Sequence, residues 1–275
     1  MRSPGPAVRF QGKAKRNPVE HPGEYHDAMI TVLELIWGKG FMTPGGEGNV
    51  ANMIDGLDVR GKRILEIGSG LGGPAFVLAG KYGALVVGTD LEPHLVEHAQ
   101  HRARELELDA QTEFLLVNRG SLEFADESFD IVLSGGAFTQ TADKRSMFGE
   151  CLRVLRPGGA LTCYDWMKPE GEYSEDMLYW FKMEGLTYAM ETPENHRQMM
   201  KDSGFIDIIV RDRSSWYRRK VQEEYEQVRS DQYPRMVDLL GKEQADHFVE
   251  TWSALKVVCL KGEVLQVYCS ARKPV

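Results

Sequence analysis

Residues 63–91 read RILEIGSGLGGPAFVLAGKYGALVVGTDL. Arg63 to Ile67 is a short apolar run of strand length. Gly68, Gly70, Gly72 and Gly73 follow it closely, and Pro74 opens a helical run that reaches Tyr82. Leu85 to Thr89 is a second apolar run, closed by Asp90. Strand, glycine turn, helix and strand in this order make half of a parallel α/β unit. A turn this rich in glycine lets backbone amides approach a ligand where any Cβ would collide. The helix behind it offers free N–H groups and the positive end of its dipole.

The alternation continues on both sides. Before it, residues 26–38 have apolar positions at helical spacing and stop at Gly38; GKGFMTPGGEG is a loop and NVANMIDGL a short helix. After it come a helix at 93–106, strands at 113–117 and 129–134, a helix at 143–155 and a strand at 160–164. Beyond Trp166 the pattern predicts helices at 175–190, 193–203, 218–240 and 242–259, with strands at 205–211 and 264–271. The expected fold is α/β: a Rossmann-like, doubly wound, mostly parallel seven-stranded sheet with a helical cap over the active site. Residues 1–20, rich in Pro, Gly and basic residues, are expected to be a flexible arm. Residues 21–275 are expected to form a single domain, with a ligand-binding core at about 40–167 and a cap and sheet-edge region at about 168–275.

Composition narrows the class. The chain has 275 residues, 42% of them hydrophobic and 27% charged, with a formal net charge of −8. No apolar run approaches the ~20 residues needed to cross a membrane, which predicts no membrane insertion. The acidic balance disfavours nucleic acid as a partner. Cys151, Cys163, Cys259 and Cys269 form no CxxC pair and lie at no metal-ligand spacing from a His, so reduced, buried thiols in a cytoplasmic protein and no metal are expected. His94, His98 and His101 share one helix face, where exposure is a better reading than ligation.

Glycine turns of this kind serve NAD, FAD and S-adenosylmethionine (SAM) sites. Here the spacing G-S-G-L-G is shorter than the dinucleotide fingerprint, Glu66 stands just before it, and Asp90 ends the second strand. A carboxylate at that strand end accepts from ribose hydroxyls.

With Phe129-Asp-Ile-Val-Leu-Ser134 followed by Gly135-Gly136, and Leu155-Arg-Pro-Gly-Gly159 before a strand, residues 40–165 resemble the class I SAM-dependent methyltransferases. The resemblance implies SAM as cofactor, with S-adenosylhomocysteine as product. Gly68, Ser69, Gly70 and Gly72 would form the turn around the methionine moiety, and Glu66 would organise it. Asp90 would hold the ribose, Leu91 the adenine face, and Asn118, flanked by Arg119, the adenine amino group. Ser134 and Gly135 would floor the site near the sulfonium. Over most of the chain the sequence resembles the phosphoethanolamine N-methyltransferase branch, through Tyr25 on the N-terminal helix and the loop GKGFMTPGG. That resemblance implies a covering Tyr25 and cofactor contacts from Met42 and Thr43. It lacks the branch's catalytic His, whose place Gln140 takes, and its phosphate-binding residues: Gly185 and Thr187 stand at those places, and Trp166 stands where a Tyr follows the fifth strand.

The expected activity is methyl transfer to the nitrogen or sulfur of a small polar metabolite, an amine or a thioether, an amino acid such as methionine included. A phosphoethanolamine-type acceptor is the first alternative and a catalytically silent SAM-binding regulatory protein the second. Methylation of a macromolecule fits the acidic charge and aromatic cap less well. Tyr25, His26, Gln140 and Trp166 are the catalytic candidates; Tyr179, Tyr188, Arg213 and Trp216 are the substrate-binding candidates. A monomer or a homodimer is expected.

Overall fold

The structure, a computed structural model, describes residues 25–120 and 122–275. The expected arm at 1–20 lies outside them.

Seven strands form one sheet: β1 Arg63–Ile67, β2 Leu85–Asp90, β3 Thr112–Leu116, β4 Phe129–Gly135, β5 Leu155–Met167, β6 Ile206–Asp212 and β7 Leu265–Arg272, in the order β3-β2-β1-β4-β5-β7-β6. β1 to β5 are parallel neighbours, and β7 runs antiparallel to both β5 and β6. The order reverses direction between β1 and β4. In open α/β sheets a ligand crevice opens beyond the carboxyl ends at this switch point. Gly68 ends β1 and Gly135-Gly136 ends β4, so the two glycine turns frame one crevice.

Helices α1 Asp27–Trp37 and α2 Gly46–Met53 precede the sheet, and α3 Gly73–Gly80, α4 Pro93–Glu105, α5 Ala137–Gln140 and α6 Lys144–Val154 connect its parallel strands. One face of the sheet buries Ile64, Val86 and Leu133 against α2, α3 and α4. The other buries Leu65, Val132 and Leu161 with Phe148 and Met200. Both faces are covered, so the strands are apolar on both sides, as parallel strands are.

The later helices are α7 Glu175–Glu184, α8 Pro193–Asp202, α9 Ser214–Glu226, α10 Tyr233–Leu240 and α11 Lys242–Lys261. α8 packs on the sheet beside α6, and α7, α9, α10 and α11 form the cap. Three sequence expectations are corrected here. The helix expected at 175–190 stops at Glu184, because Gly185 adopts φ +75 as a left-handed cap and releases 186–192 as an irregular segment. The helix expected at 218–240 begins at Ser214 and is interrupted by a π turn over Gln227–Asp231. The strand expected at 160–164 extends back to Leu155, which pairs with Phe129 of β4, and forward to Met167, which pairs with Leu265 of β7. Among the described residues no helix is long and apolar enough to cross a membrane.

All four cysteines are buried and free. Cys163 and Cys269 are cross-strand partners in β5 and β7, and His196 of α8 approaches them, with the three donor atoms within 4.8 Å of one another. Sequence spacing hides this cluster because its members lie on three separate elements. The His196 ring packs edge-on against Phe148, and burial pushes its pKa down to about 3. On α4, His94 meets the Tyr25 carbonyl at 2.6 Å through Nε2 and His101 lies 3.6 Å from Glu105, so the three α4 histidines do not converge.

Candidate active site

Gly68 holds φ +71, and a Cβ there would lie 2.4 Å from the Cβ of Ala137. The turn after β1 therefore seats directly on the turn after β4. The amides of Gly68 and Ser69 both donate to the Thr89 carbonyl, tying the turn to β2. Asp90 completes the tie: its Oδ2 accepts from Gly70 N at 2.8 Å and its Oδ1 from Glu92 N at 3.0 Å. Burial raises the Asp90 pKa, and these N–H groups oppose the rise.

Glu66 is 1% exposed, and its carboxyl accepts from the Ala75 amide at the start of α3. Burial, followed by the neighbouring Asp90, raises its pKa far above the usual carboxylate range. Glu66 Oε2, Ser69 Oγ and Ser134 Oγ are buried with no protein partner. The crevice thus combines a glycine cradle with polar atoms left for a ligand. That donor set fits a nucleoside with a polar amino-acid tail.

The loop between α1 and α2 lies over this cradle. Gly40 accepts from the Gly73 amide at 2.9 Å, Met42 Sδ abuts Gly70, and the Thr43 hydroxyl accepts from the Tyr164 hydroxyl. Gly73 has to be glycine, since a Cβ would sit 2.4 Å from the Gly40 carbonyl oxygen. Gly73→Ala is expected to lift the loop, lower stability by about 1–3 kcal/mol through overpacking, and raise the KM for SAM several-fold. Thermal unfolding and initial rates check this. An unchanged KM would separate the loop from the cofactor.

Leu91 remains 40% exposed at the end of β2, and Asn118 and Arg119 are exposed in the segment after β3. Gly135 is closed from behind by the Tyr164 ring, 3.2 Å from a Cβ placed there.

Beside the cradle, a cavity enclosing about 800 Å³ of empty space, its open mouth included, reaches up under the cap. Its walls come from α1 (Met29, Trp37), the loop (Met42, Thr43), α5 (Thr139, Gln140), β5 (Tyr164, Trp166), the end of α7 (Glu184), Tyr188, and α11 (Phe248, Trp252). Tyr25 stands at its edge and donates from its hydroxyl to Gln140 Oε1 at 3.3 Å. Trp166 packs on Trp180 and Tyr217 with centroids 5.4 and 5.7 Å away. Beneath it, Asp165 accepts from the Thr139 amide at 2.9 Å and hydroxyl at 3.1 Å. Burial holds Asp165 up to about 7, against the pull of Lys144.

Tyr25, Gln140, Trp166 and Tyr188 are therefore brought to one cavity. His26 also borders it, but its Nδ1 accepts from Met29 N at 3.2 Å, so it is the N-cap of α1. Three substrate-binding candidates are not brought there. Tyr179 lies on the outer face of α7, 44% exposed, bonded to Glu250 at 2.9 Å. Arg213 sits over the Trp216 and Tyr268 rings before α9, and Trp216 stacks on Tyr217. Neither lines the cavity. Sequence reasoning missed Glu184, although a stripe at 177, 180, 181 and 184 places it on the same face of α7 as Met177 and Trp180.

Residues 65–163 match the family model of a methyltransferase domain. Phosphoethanolamine N-methyltransferase of Triticum aestivum is 28% identical over 232 residues, covering 84% of this chain and 45% of that protein. The fold superposes on phosphoethanolamine N-methyltransferase 2 of Haemonchus contortus, solved with phosphomonomethylethanolamine and S-adenosylhomocysteine. The TM-score is 0.85 at 26% identity, over 92% of this chain and 59% of that one. A second structure of the same protein, with the same TM-score and coverage, contains SAM. The chain carries a class I SAM-dependent methyltransferase domain. It resembles the phosphoethanolamine N-methyltransferase branch and spans about half the length of the curated relatives it matches. The cofactor of this methyltransferase domain is SAM.

Proposed function

We propose that the methyltransferase transfers a methyl group to the nitrogen or sulfur of a small metabolite held in the cavity under the cap. The observation that carries this reading is the position of the cavity: Gly136, Thr139 and Trp166 line it from the same strand ends that hold the glycine cradle. In this reading Asp90, Gly68, Ser69 and Gly70 hold the cofactor, with Glu66 bracing the turn and Met42 and Thr43 covering it. Leu91, Asn118 and Arg119 flank the adenine end, and Ser134 and Gly135 the reactive end. When bound, SAM supplies an electrophilic methyl carbon.

The protein's own contribution is alignment and exclusion of water. Orienting an acceptor against the methyl group is worth up to about 7–11 kcal/mol of effective molarity. The Tyr25–Gln140 contact closes the cavity edge near α5, and the Thr139–Asp165 pair fixes the floor. A neutral amine or a thioether attacks without prior loss of a proton, so Gln140 in place of a His is compatible with either. We further propose that residues 21–275 act as one catalytic unit and that the acceptor, not a nucleic acid, is its partner.

The test is turnover. Purified protein with SAM and a panel of amines, thioethers, amino acids such as methionine, and phosphoethanolamine is expected to release S-adenosylhomocysteine with one amine or thioether class. Binding of S-adenosylhomocysteine with no turnover on any acceptor would support the silent regulatory reading instead. Turnover confined to phosphoethanolamine would support the activity named for the relatives.

A further inference from the structure

We propose that the acceptor carries a positively charged group, received by Glu184 between the Trp166, Tyr188 and Trp252 rings, and that the methyltransferase selects aminated metabolites without a phosphate. This rests on the reading of the cavity as the acceptor site. Glu184 is the last residue of α7, and the left-handed Gly185 ends the helix there, leaving the carboxylate at the cavity wall. Tyr188 donates to its Oε2 at 2.7 Å and thereby fixes its orientation.

The charge balance of the cavity points one way. Among the described residues that line it, Glu184 is the sole carboxylate and there is no Lys or Arg; the two imidazoles on the wall are those of His26, which caps α1, and His247 of α11. Two further carboxyls stand behind the walls: Asp165 below Thr139 and Trp166, and Glu224, which the Trp37 and Trp252 indoles approach. Lys144, the cation nearest Asp165, spends its ammonium on the carbonyls of Thr141 and Ala189. A phosphate here would meet the Glu184 carboxyl at the wall with no Lys or Arg side chain beside it, an arrangement that a buried anion does not tolerate.

A cation finds the opposite. Trp166 and Tyr188 are 6.5 Å apart between centroids and tilted by 35°, and Trp37 and Trp252 are 5.9 Å apart. Ring faces attract ammonium and sulfonium groups, most strongly where water is excluded. Burial holds Glu184 up to about 7, opposed by the Tyr188 hydroxyl and the Trp180 indole, so an arriving cation draws it into its ionised form. The positive charge is that of an amine acceptor, of its methylated product, or of the α-ammonium of an amino acid whose sulfur is methylated.

The experiment uses the full chain saturated with S-adenosylhomocysteine and follows tryptophan fluorescence. Choline, its neutral carbon isostere 3,3-dimethylbutan-1-ol, and phosphoethanolamine are titrated into the parent and into Glu184→Gln. The parent is expected to bind choline at least about tenfold tighter than the isostere, and more tightly than phosphoethanolamine. Glu184→Gln is expected to lose that preference by about tenfold while keeping its affinity for S-adenosylhomocysteine within about twofold, which also reports that it is folded. Equal binding of choline and the isostere by the parent would overturn the proposal. So would an unchanged preference in Glu184→Gln, or tighter binding of phosphoethanolamine. Turnover is not the readout, so failure of the methyl-transfer reading registers in the acceptor panel and not in this comparison.

Discussion

Asp90→Ala is expected to weaken S-adenosylhomocysteine binding by on the order of a hundredfold or more, through two losses at once. The first is the ribose contact expected at the end of β2, a hydrogen bond to a charged group worth about 1.5–3 kcal/mol. The second is visible in the protein itself: the carboxylate ties the glycine turn to the start of α4 through Gly70 N and Glu92 N. Removing both acceptors strands two amides, at about 1–3 kcal/mol for each one left buried, and frees the cradle to relax. Asp90→Asn keeps one acceptor oxygen and is expected to fall between the parent and Ala. Titration calorimetry measures the affinities, and thermal unfolding reports the structural share. Affinity in Asp90→Ala within about threefold of the parent, less than ~0.7 kcal/mol, would remove Asp90 from the cofactor site.

The order of elements was legible because parallel strands buried on both faces are written as short apolar runs, and glycines mark where they turn. The cradle was legible for the same local reason: Glu66, Gly68, Gly70 and Asp90 lie within 25 residues of one another. The cavity under the cap was not. Its walls come from α1, α5, β5, α7 and α11, so proximity is a product of the fold and leaves no trace in spacing. Trp166 and Tyr188 do line it, and both stand in local signals, a strand end and an aromatic-rich stretch. Tyr179 stays outside the cavity because the helical phase of α7 turns 179 outward and 184 inward. Arg213 does not reach the cavity, because the ring faces of Trp216 and Tyr268 hold its guanidinium.

Carboxyls buried around an aromatic cavity make stability depend on pH, and Glu224→Gln is expected to expose this. Glu224 is 0% exposed in α9, with both carboxyl oxygens lacking a close partner. Burial pushes its pKa up to about 8; the indoles of Trp37 and Trp252 and the charge on Lys220 pull it back, and Glu223 opposes them. Tyr217 and Cys259 also face it, and burial, followed by its charge, raises the pKa of each. In the unfolded chain the group titrates near the ordinary value, about 4.3. Between these two values the native state binds the proton and the unfolded state does not, so stability falls as pH rises across the window. By about pH 9 the cost of ionising Glu224 in place reaches on the order of 5 kcal/mol. A glutamine carries no such cost, so the variant is expected to be the more stable protein at about pH 9 and within about 1 kcal/mol of the parent near pH 5. Chemical denaturation at the two pH values decides it. Equal stability of parent and variant at both would mean that water or a neighbouring cation already solvates the Glu224 carboxylate, and that the wall behind Trp37 and Trp252 is not dry.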